Sequence, residues 1–534
     1  MDELLLGLDI GTSSSKAVLA GADGTVLATL ERSHGVSLPQ PGWVEHDAES
    51  VWWADVQALL ARFDKKELAS VKGLCVSGIG PCLLPIGAKG EPLRPAILYG
   101  VDTRATAEAD ELTKRYGAEA VLAGGGSPLT SQALGPKLLW LRRNEPEVWR
   151  STRGFLMASS FAVQRLTGEY VLDHHSASQC NPLYDLGSSR WRADWAGDIV
   201  PGLELPRLLW PGEVAGTLSV EAAFETGLPA AIPVAAGTID AWAEAFGSGV
   251  VAGGDTMLSY GTTMFIVHVA PAAVPDPHLW LTAGVAPQSR TVAAGMATSG
   301  ALTSWLRTIA GNPSYERLLA EAEQVPPGAD GLVVLPYFAG ERTPLFDPNA
   351  RGAMLGLTLR HGRGHLYRAL LEATAFGVRH NLETIKRAGG DPHRLVAVGG
   401  GTRGGCGPRS FPTSPLGTKT YQSPPSAPAT ATRTSLARRQ AWSRWTRVGA
   451  TWPVPYGQTV RSAPYTTSYT RFTGSCTRPP GTSPMSLPRS SWQVVERPGR
   501  PVPGWLALRT RRPDFLMSNR FHTIACWGSL GKHK

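Results

Sequence analysis

No run of apolar residues in this 534-residue chain approaches the roughly 18 that a membrane-spanning helix needs, so such a helix is not expected. Cysteine is scarce: six residues, Cys75, Cys82, Cys180, Cys406, Cys476 and Cys526, show neither a paired framework nor metal-ligand spacing. Cys75 and Cys82 sit in an apolar stretch and read as buried free thiols. The chain opens on two acids, Asp2 and Glu3, before its first apolar run, the reverse of a secretory leader, so a cytoplasmic protein is expected. Acidic residues are almost missing from the last quarter. From position 406 onward there are 19 Lys and Arg against only Glu496 and Asp514, leaving 33 basic and 41 acidic residues before it. The formal net charge of +9 therefore belongs to the tail alone, and nucleic acid is not expected as a partner of the mildly acidic body.

The body is long enough for two domains of similar size, and 42% hydrophobic residues suffice for both cores. Residues 4–10 form a short apolar run, 16–20 alternate loosely, and 25–30 resume after Asp23-Gly24, a hairpin signal. Helical periodicity follows at 50–63 and 136–143, and strand and helix patterns then alternate, which predicts an α/β sheet fold. A second start resembles the first. The small-residue strand 233–237 and the strand 256–260 lead to Gly261-Thr262, as residues 4–10 lead to Gly11-Thr12. Two such turns can hold one phosphate chain from both sides.

The chemistry concentrates in two places. In the run 9–16 (DIGTSSSK), Gly11 lets the backbone turn its N–H groups onto phosphate oxygens, Thr12 and Ser13 add hydroxyls, and Lys16 adds a charge. Asp9 is a hard oxygen ligand suited to Mg²⁺, although a plain hairpin with a polar turn explains the run equally well. In Gly237-Thr238-Ile239-Asp240, the aspartate can take the proton of an attacking hydroxyl, or simply cap a helix over 241–246; the two roles are compatible.

Seven segments then occur in order: 9–16, 41–45 (PGWVE), 102–104 (DTR), 237–240, 259–263 (SYGTT), 340–344 (GERTP) and 399–401 (GGG). Together they resemble the FGGY family of carbohydrate kinases, nearest to its xylulokinase branch, almost continuously over residues 4–405. The resemblance implies a two-domain, actin-like (ribonuclease H-like) fold with a cleft, residues 1–247 forming the sugar-side domain and 248–405 the nucleotide side. It implies ATP, Mg²⁺ and a small sugar as ligands, with a homodimer admissible. It assigns Asp9 to Mg²⁺ and Thr12, Ser13 and Lys16, with Gly11, to the first phosphate turn. Gly261, Thr262 and Thr263 become the second turn, and Asp240 the general base. Asp102 and Arg104 fall on a sugar-side segment, with a surface ion pair as their other reading. Gly300, beside Thr303 and Ser304, lines the nucleotide pocket, and Gly399, Gly400 and Gly401 open the adenosine motif. One segment departs from the family: 77–82 reads SGIGPC where xylulokinases carry polar groups for sugar hydroxyls, which should change or relax specificity.

After position 405 the character changes. The tail is rich in Pro, Ser, Thr and Arg and has no amphipathic period, yet carries Trp442, Trp445, Trp452, Trp492, Trp505 and Trp527. A one-base frame shift near codon 406 accounts for this. Residues 406–415 (CGPRSFPTSP) can be recoded, with one leading base restored, as LWPQIVSDVT, and 426–440 and 471–486 recode in the same frame to helix-like, family-like segments. The expectation is therefore a kinase whose adenosine side is truncated in this reading frame. The rival is a genuine basic tail that binds an anionic partner with strong salt dependence.

Overall fold

A computed structural model describes residues 3–402 and one strand beyond them, Lys419–Gln422. In the first half, β1 (Leu4–Ile10), β2 (Ser14–Gly21) and β3 (Val26–Ser33) form an antiparallel meander, tied at its second turn by Asp23, whose Oδ1 accepts the Thr25 N–H at 2.9 Å. β4 (Val71–Gly78) runs parallel beside β1, which explains why every residue of β1 is buried. β5 (Val214–Thr217) and β6 (Pro233–Ala235) extend the sheet to the order β5-β6-β4-β1-β2-β3, and β7 (Thr238–Ile239) pairs with the end of β4. The strand expected over 233–237 breaks between β6 and β7. Gly237 has φ +72°, and a Cβ there would lie 1.9 Å from the Val76 carbonyl oxygen, so only glycine lets the chain step sideways.

The second half repeats the design. β8 (Asp255–Tyr260), β9 (Met264–Val269), β10 (Trp280–Ala283), β11 (Arg290–Met296), β12 (Arg394–Val398) and β13 (Lys419–Gln422) lie in the order β10-β11-β9-β8-β12-β13. β8, like β1, is antiparallel to the strand that follows it and parallel to a strand far along the chain. The tight turn after the first strand of each sheet is the pair read from the sequence, at Gly11 and Gly261.

Helices fill the crossovers: α1 (Ala54–Leu60), α2 (Leu134–Asn144), α3 (Ala158–Thr167), α4 (Asp240–Gly247), α5 (Gly300–Ile309), α6 (Tyr315–Glu323) and α7 (Arg363–Arg387). The helical stretch expected over 50–63 starts earlier, with a wider-wound turn over Ala48–Trp53 before α1. Its start is fixed by Asp47, whose carboxylate accepts the Ser50 N–H at 2.7 Å.

Among the described residues, three large apolar cores hold these elements. Leu6, Leu8, Val56, Leu59, Phe161 and Leu166 fill the core of the first sheet. Leu138, Phe155 and Trp242, all before residue 248, pack with Ile266, Met296 and Val396 around the second sheet. Leu306, Leu318, Tyr367 and Leu370 form a helical core among α5, α6 and α7. Trp242 of α4 reaches into the core of the second sheet and its Nε1 donates to Thr291 Oγ1 of β11 at 2.8 Å, so the two halves share buried surface. Among the described residues no helix is long and apolar enough to cross a membrane. The segment 403–405 and the tail, with the frame-shift expectation that falls on them, lie outside the described residues apart from β13.

Candidate active site

The parallel contact of β1 with β4, and of β4 with β7, brings two carboxylates to the same end of one sheet. Asp9 sits across from Ser77 and Lys16, and Ser77 is in turn the partner of Thr238, two residues before Asp240. Ligands of open α/β sheets bind at this carboxyl end of parallel strands. Asp9 is buried, and its Oδ1 accepts a hydrogen bond from Ser77 Oγ at 2.7 Å. Burial raises its pKa, against the Ser77 bond and the Lys16 charge, which lower it.

Asp240 opens α4 as its first residue, so it stands within the helix rather than before it as a cap. Ile239 occupies the capping position, while Asp240 Oδ1 still accepts the Ala241 N–H at 2.7 Å. Burial pushes the Asp240 carboxyl up to about 8, helped by the negative charges of Asp9 and Glu244 and opposed by the Ala241 N–H and Lys16. A carboxylate held near neutral pH, with part of its surface still open, is a strong proton acceptor. Glu244, one helical turn on, is pushed up to about 7 by burial and then by Asp9, and lies 3.5 Å from the Ser259 hydroxyl of β8. Sequence reading missed Glu244, although its spacing of four from Asp240 placed it on the same helix face.

The first phosphate turn is braced by side chains. Gly11 N–H donates to the Ser14 carbonyl at 3.0 Å, and Thr12 Oγ1 meets the Tyr99 hydroxyl at 3.2 Å. His34 grips the turn twice: its N–H donates to Ser13 O at 2.9 Å, and its Nε2 lies 3.0 Å from Gly11 O. Its Nδ1 lies 2.7 Å from Asp55 Oδ2, and Arg32 Nε contacts the other Asp55 oxygen at 3.0 Å. Both ring nitrogens therefore face acceptors. Ser13 is exposed, free to meet a ligand, and Lys16 Nζ stands 3.9 Å from Glu31.

The second turn is braced by backbone. Gly261 O accepts the Gly300 N–H at 3.0 Å, and Thr262 O accepts those of Ser299 and Ala301 at 3.0 and 3.1 Å. A Cβ on Gly300 would come within 2.7 Å of the Gly261 carbonyl oxygen, so the glycine is what allows α5 to begin against the turn. Gly261 and Thr262 are exposed and Thr263 half-buried. At the end of β12, Gly399 and Gly401 pack on Tyr260, which immediately precedes the turn, while Gly400 faces open space. The turn at 261–263, Gly300 and the glycines 399–401 thus meet at one end of the second sheet.

Asp102 and Arg104 form a pair, but a buried one rather than a surface one. Arg104 Nη2 binds Asp102 Oδ2 at 2.7 Å, Asp102 also accepts the Val44 N–H at 2.7 Å, and Arg104 Nη1 lies 2.8 Å from Glu45. The Arg104 guanidinium lies 4.0 and 5.0 Å from the ring centres of Trp43 and Trp140. Both side chains are fully enclosed and spend their groups on protein partners. Beside them, Lys137 is buried, donates to Leu98 O at 2.6 Å, and is pulled down to about 8 by burial. Its place in an apolar helix pattern hid it from sequence reading. The departing segment 77–82 forms a closed wall, with Ile79 and Cys82 buried and Cys82 Sγ turned to Ile79 O.

Among the described residues no group of three or more His, Cys, Asp or Glu is arranged to cage a metal. Mg²⁺ that arrives on nucleotide phosphates needs only one or two carboxylates and keeps several waters. Asp9, with one oxygen not spent on Ser77, fits that demand.

Residues 4–247 match the N-terminal domain of the FGGY family of carbohydrate kinases, and 256–405 its C-terminal domain. The chain is 31% identical over 411 residues to the xylulose kinase of Escherichia coli (strain K12), covering 75% of this chain and 82% of that one. It is 30% identical over 407 residues to the glycerol kinase of Nocardia farcinica (strain IFM 10152), covering 72% and 79% respectively. The crystal structure of xylulose kinase from Rhodospirillum rubrum superposes with a TM-score of 0.76 at 33% identity, over 82% of this chain and 90% of that one. A two-sheet body with paired turns, and family matches that together span most of the chain, identify it as a member of the FGGY family of carbohydrate kinases.

Proposed function

We propose that this protein transfers the γ-phosphoryl group of ATP to a hydroxyl of a small sugar, a pentulose such as xylulose being the first substrate to try. The observation that carries the reading is Asp240, a carboxyl raised to about 8 at the end of the sheet that carries the first phosphate turn. The turns at 11–16 and 261–263 hold the phosphate chain with backbone N–H groups, hydroxyls and Lys16. Mg²⁺, when bound, would be held by Asp9 and would supply neutralising charge to the phosphates. Asp240 takes the hydroxyl proton while that oxygen attacks the γ-phosphorus in line, and ADP departs with the bond it loses. Packing of α4 against the second sheet, through Trp242 and Thr291, couples closure of the cleft to both phosphate turns, which limits hydrolysis by water.

Asp102 and Arg104 act at one remove in this reading, holding the Tyr99 strand end against Thr12 through their buried pair. The closed apolar wall at 77–82 offers few groups to sugar hydroxyls, so tolerance of several pentuloses and polyols is expected. ADP release with a panel of pentuloses, polyols and aldonic acids tests the reading. Sugar-dependent release supports it, and MgATP binding without release for any panel member counts against it. A second reading, a kinase disabled by its tail, rests on the near-absence of acids after position 405. Sequencing the coding DNA across codons 400–410 and comparing the chain as written with a one-base-restored form separates the two.

A further inference from the structure

The segment 340–344 stands in the motif order but has no part in the chemistry above. Its side chains divide into two that are pinned and one that is not. Glu341 is buried, and its Oε1 accepts the N–H groups of Ala297 at 2.8 Å and Arg342 at 2.7 Å. Thr343 is fully buried; its Oγ1 accepts the Gly295 N–H at 2.6 Å and shares its own proton between Gly295 O at 3.0 Å and Asn381 Oδ1 at 2.7 Å. These bonds fasten the main chain on both sides of Arg342 to the end of β11 and to α7.

The Arg342 side chain, half-buried, makes no hydrogen bond, ion pair or ring contact among the described residues. A guanidinium carries five donors in a rigid fork suited to phosphate and carboxylate oxygens, and leaving them unused in a half-enclosed position is costly. Its charge also reaches across the molecule. It opposes the burial that raises the Tyr99 hydroxyl, and Tyr99 is the residue that touches Thr12 of the first phosphate turn and feels the Asp240 charge. An unspent cation, on a backbone fixed by the second half, therefore acts on the place where the first turn and the proton acceptor meet.

We propose that Arg342 binds the oxyanion of the transferring phosphoryl group, a catalytic contact supplied by the second half of the chain. The inference rests on the kinase reading. It places the donors where charge on the phosphoryl oxygens develops, which is where a fixed guanidinium lowers the barrier most. The same fork could instead hold a carboxylate on an acidic sugar, and the experiment separates the two sources.

The test uses Arg342→Gln and Arg342→Lys in the full chain, with binding of ATP, ADP and aldonic acids measured by calorimetry in the presence of Mg²⁺. Tripolyphosphate and pyrophosphate repeat the comparison without adenosine. The proposal expects Arg342→Gln to weaken ATP and tripolyphosphate about 10-fold while ADP and pyrophosphate stay within about twofold, as loss of one charge-assisted contact requires. Turnover should fall at least about 10²-fold and recover in part with Lys. The thermal midpoint should not fall, since the side chain has no partner to lose. Unchanged ATP affinity and turnover, an equal loss for ATP and ADP, or a loss confined to aldonic acids would each overturn it. If the unaltered chain binds neither nucleotide nor polyphosphate, the kinase reading fails and the inference falls with it.

Discussion

The two Gly-Thr turns to which the kinase reading gives one job are braced differently. The turn at 11–16 is held by side chains from elsewhere in the first half, namely His34, Asp55 behind it, and Tyr99. The turn at 261–263 is held by main-chain bonds to 299–301, made possible by Gly300. A side-chain brace can be weakened in steps and rescued by a similar donor. A backbone brace depends on the absence of a side chain, so any addition disturbs it. The first half also carries Asp240, the proposed proton acceptor, whereas Arg342, unpartnered among the described residues, comes from the second.

The largest break of this contrast is expected at Asp240. Asp240→Asn keeps an acceptor oxygen for the Ala241 N–H but cannot take a proton, so turnover should fall by about 10²–10⁴ with nucleotide affinity retained. Steady-state kinetics beside nucleotide titration checks it.

Gly300→Ala should come next. Its Cβ would meet the Gly261 carbonyl oxygen, and since backbone cannot swing aside, a cost of about 1–3 kcal/mol is expected. The readouts are a lower thermal midpoint and a higher KM for ATP, with sugar KM little changed.

His34→Ala should raise the KM for ATP by about 5- to 30-fold, equivalent to about 1–2 kcal/mol for lost bonds to Gly11 and Asp55. His34→Gln, which keeps one donor, should recover part of the loss. Equal behaviour of the two variants would remove the side-chain brace as the explanation.

The smallest effect is on pH dependence. The folded Asp240 carboxyl is raised to about 8, above its ordinary 3.8, so the folded protein holds a proton that the unfolded chain has released. The stability from this group is complete below the unfolded value and is lost as pH rises through about 8. Turnover should move the other way, rising toward pH 8 as the acceptor ionises. A pH–rate profile beside thermal midpoints checks both signs, and Asp240→Asn should flatten the Asp240 contribution to each.

Much of this was legible in the sequence because it is local. Residues 4–10 read as a short apolar strand and are one, and the second strand starts and ends within two residues of the expected span, since apolar patterning and turn residues act over a few positions. Gly11 and Gly261 stand out because a glycine at a strand end is itself a signal, whereas Gly300 and Gly399 came only from the family resemblance. What stayed hidden depends on distant contact. Tyr99 reaches Thr12 across 87 positions, and His34 reads as an ordinary polar residue after a strand. Asp102 and Arg104 read as a sugar-side segment or a surface ion pair; that the pair is buried stayed hidden because nothing nearby announces Trp43 and Trp140 around it. Lys137 sits in a leucine-rich helix, where a lone lysine normally reaches for solvent.

The central claim is phosphoryl transfer from ATP to a sugar hydroxyl with Asp240 as the proton acceptor. Its most direct measurement is sugar-dependent ADP release by the chain and by Asp240→Asn, at matched folding and saturating MgATP. The account predicts release with at least one pentulose or polyol, and its loss in Asp240→Asn without loss of nucleotide binding. Release that persists at a normal rate in Asp240→Asn would contradict it.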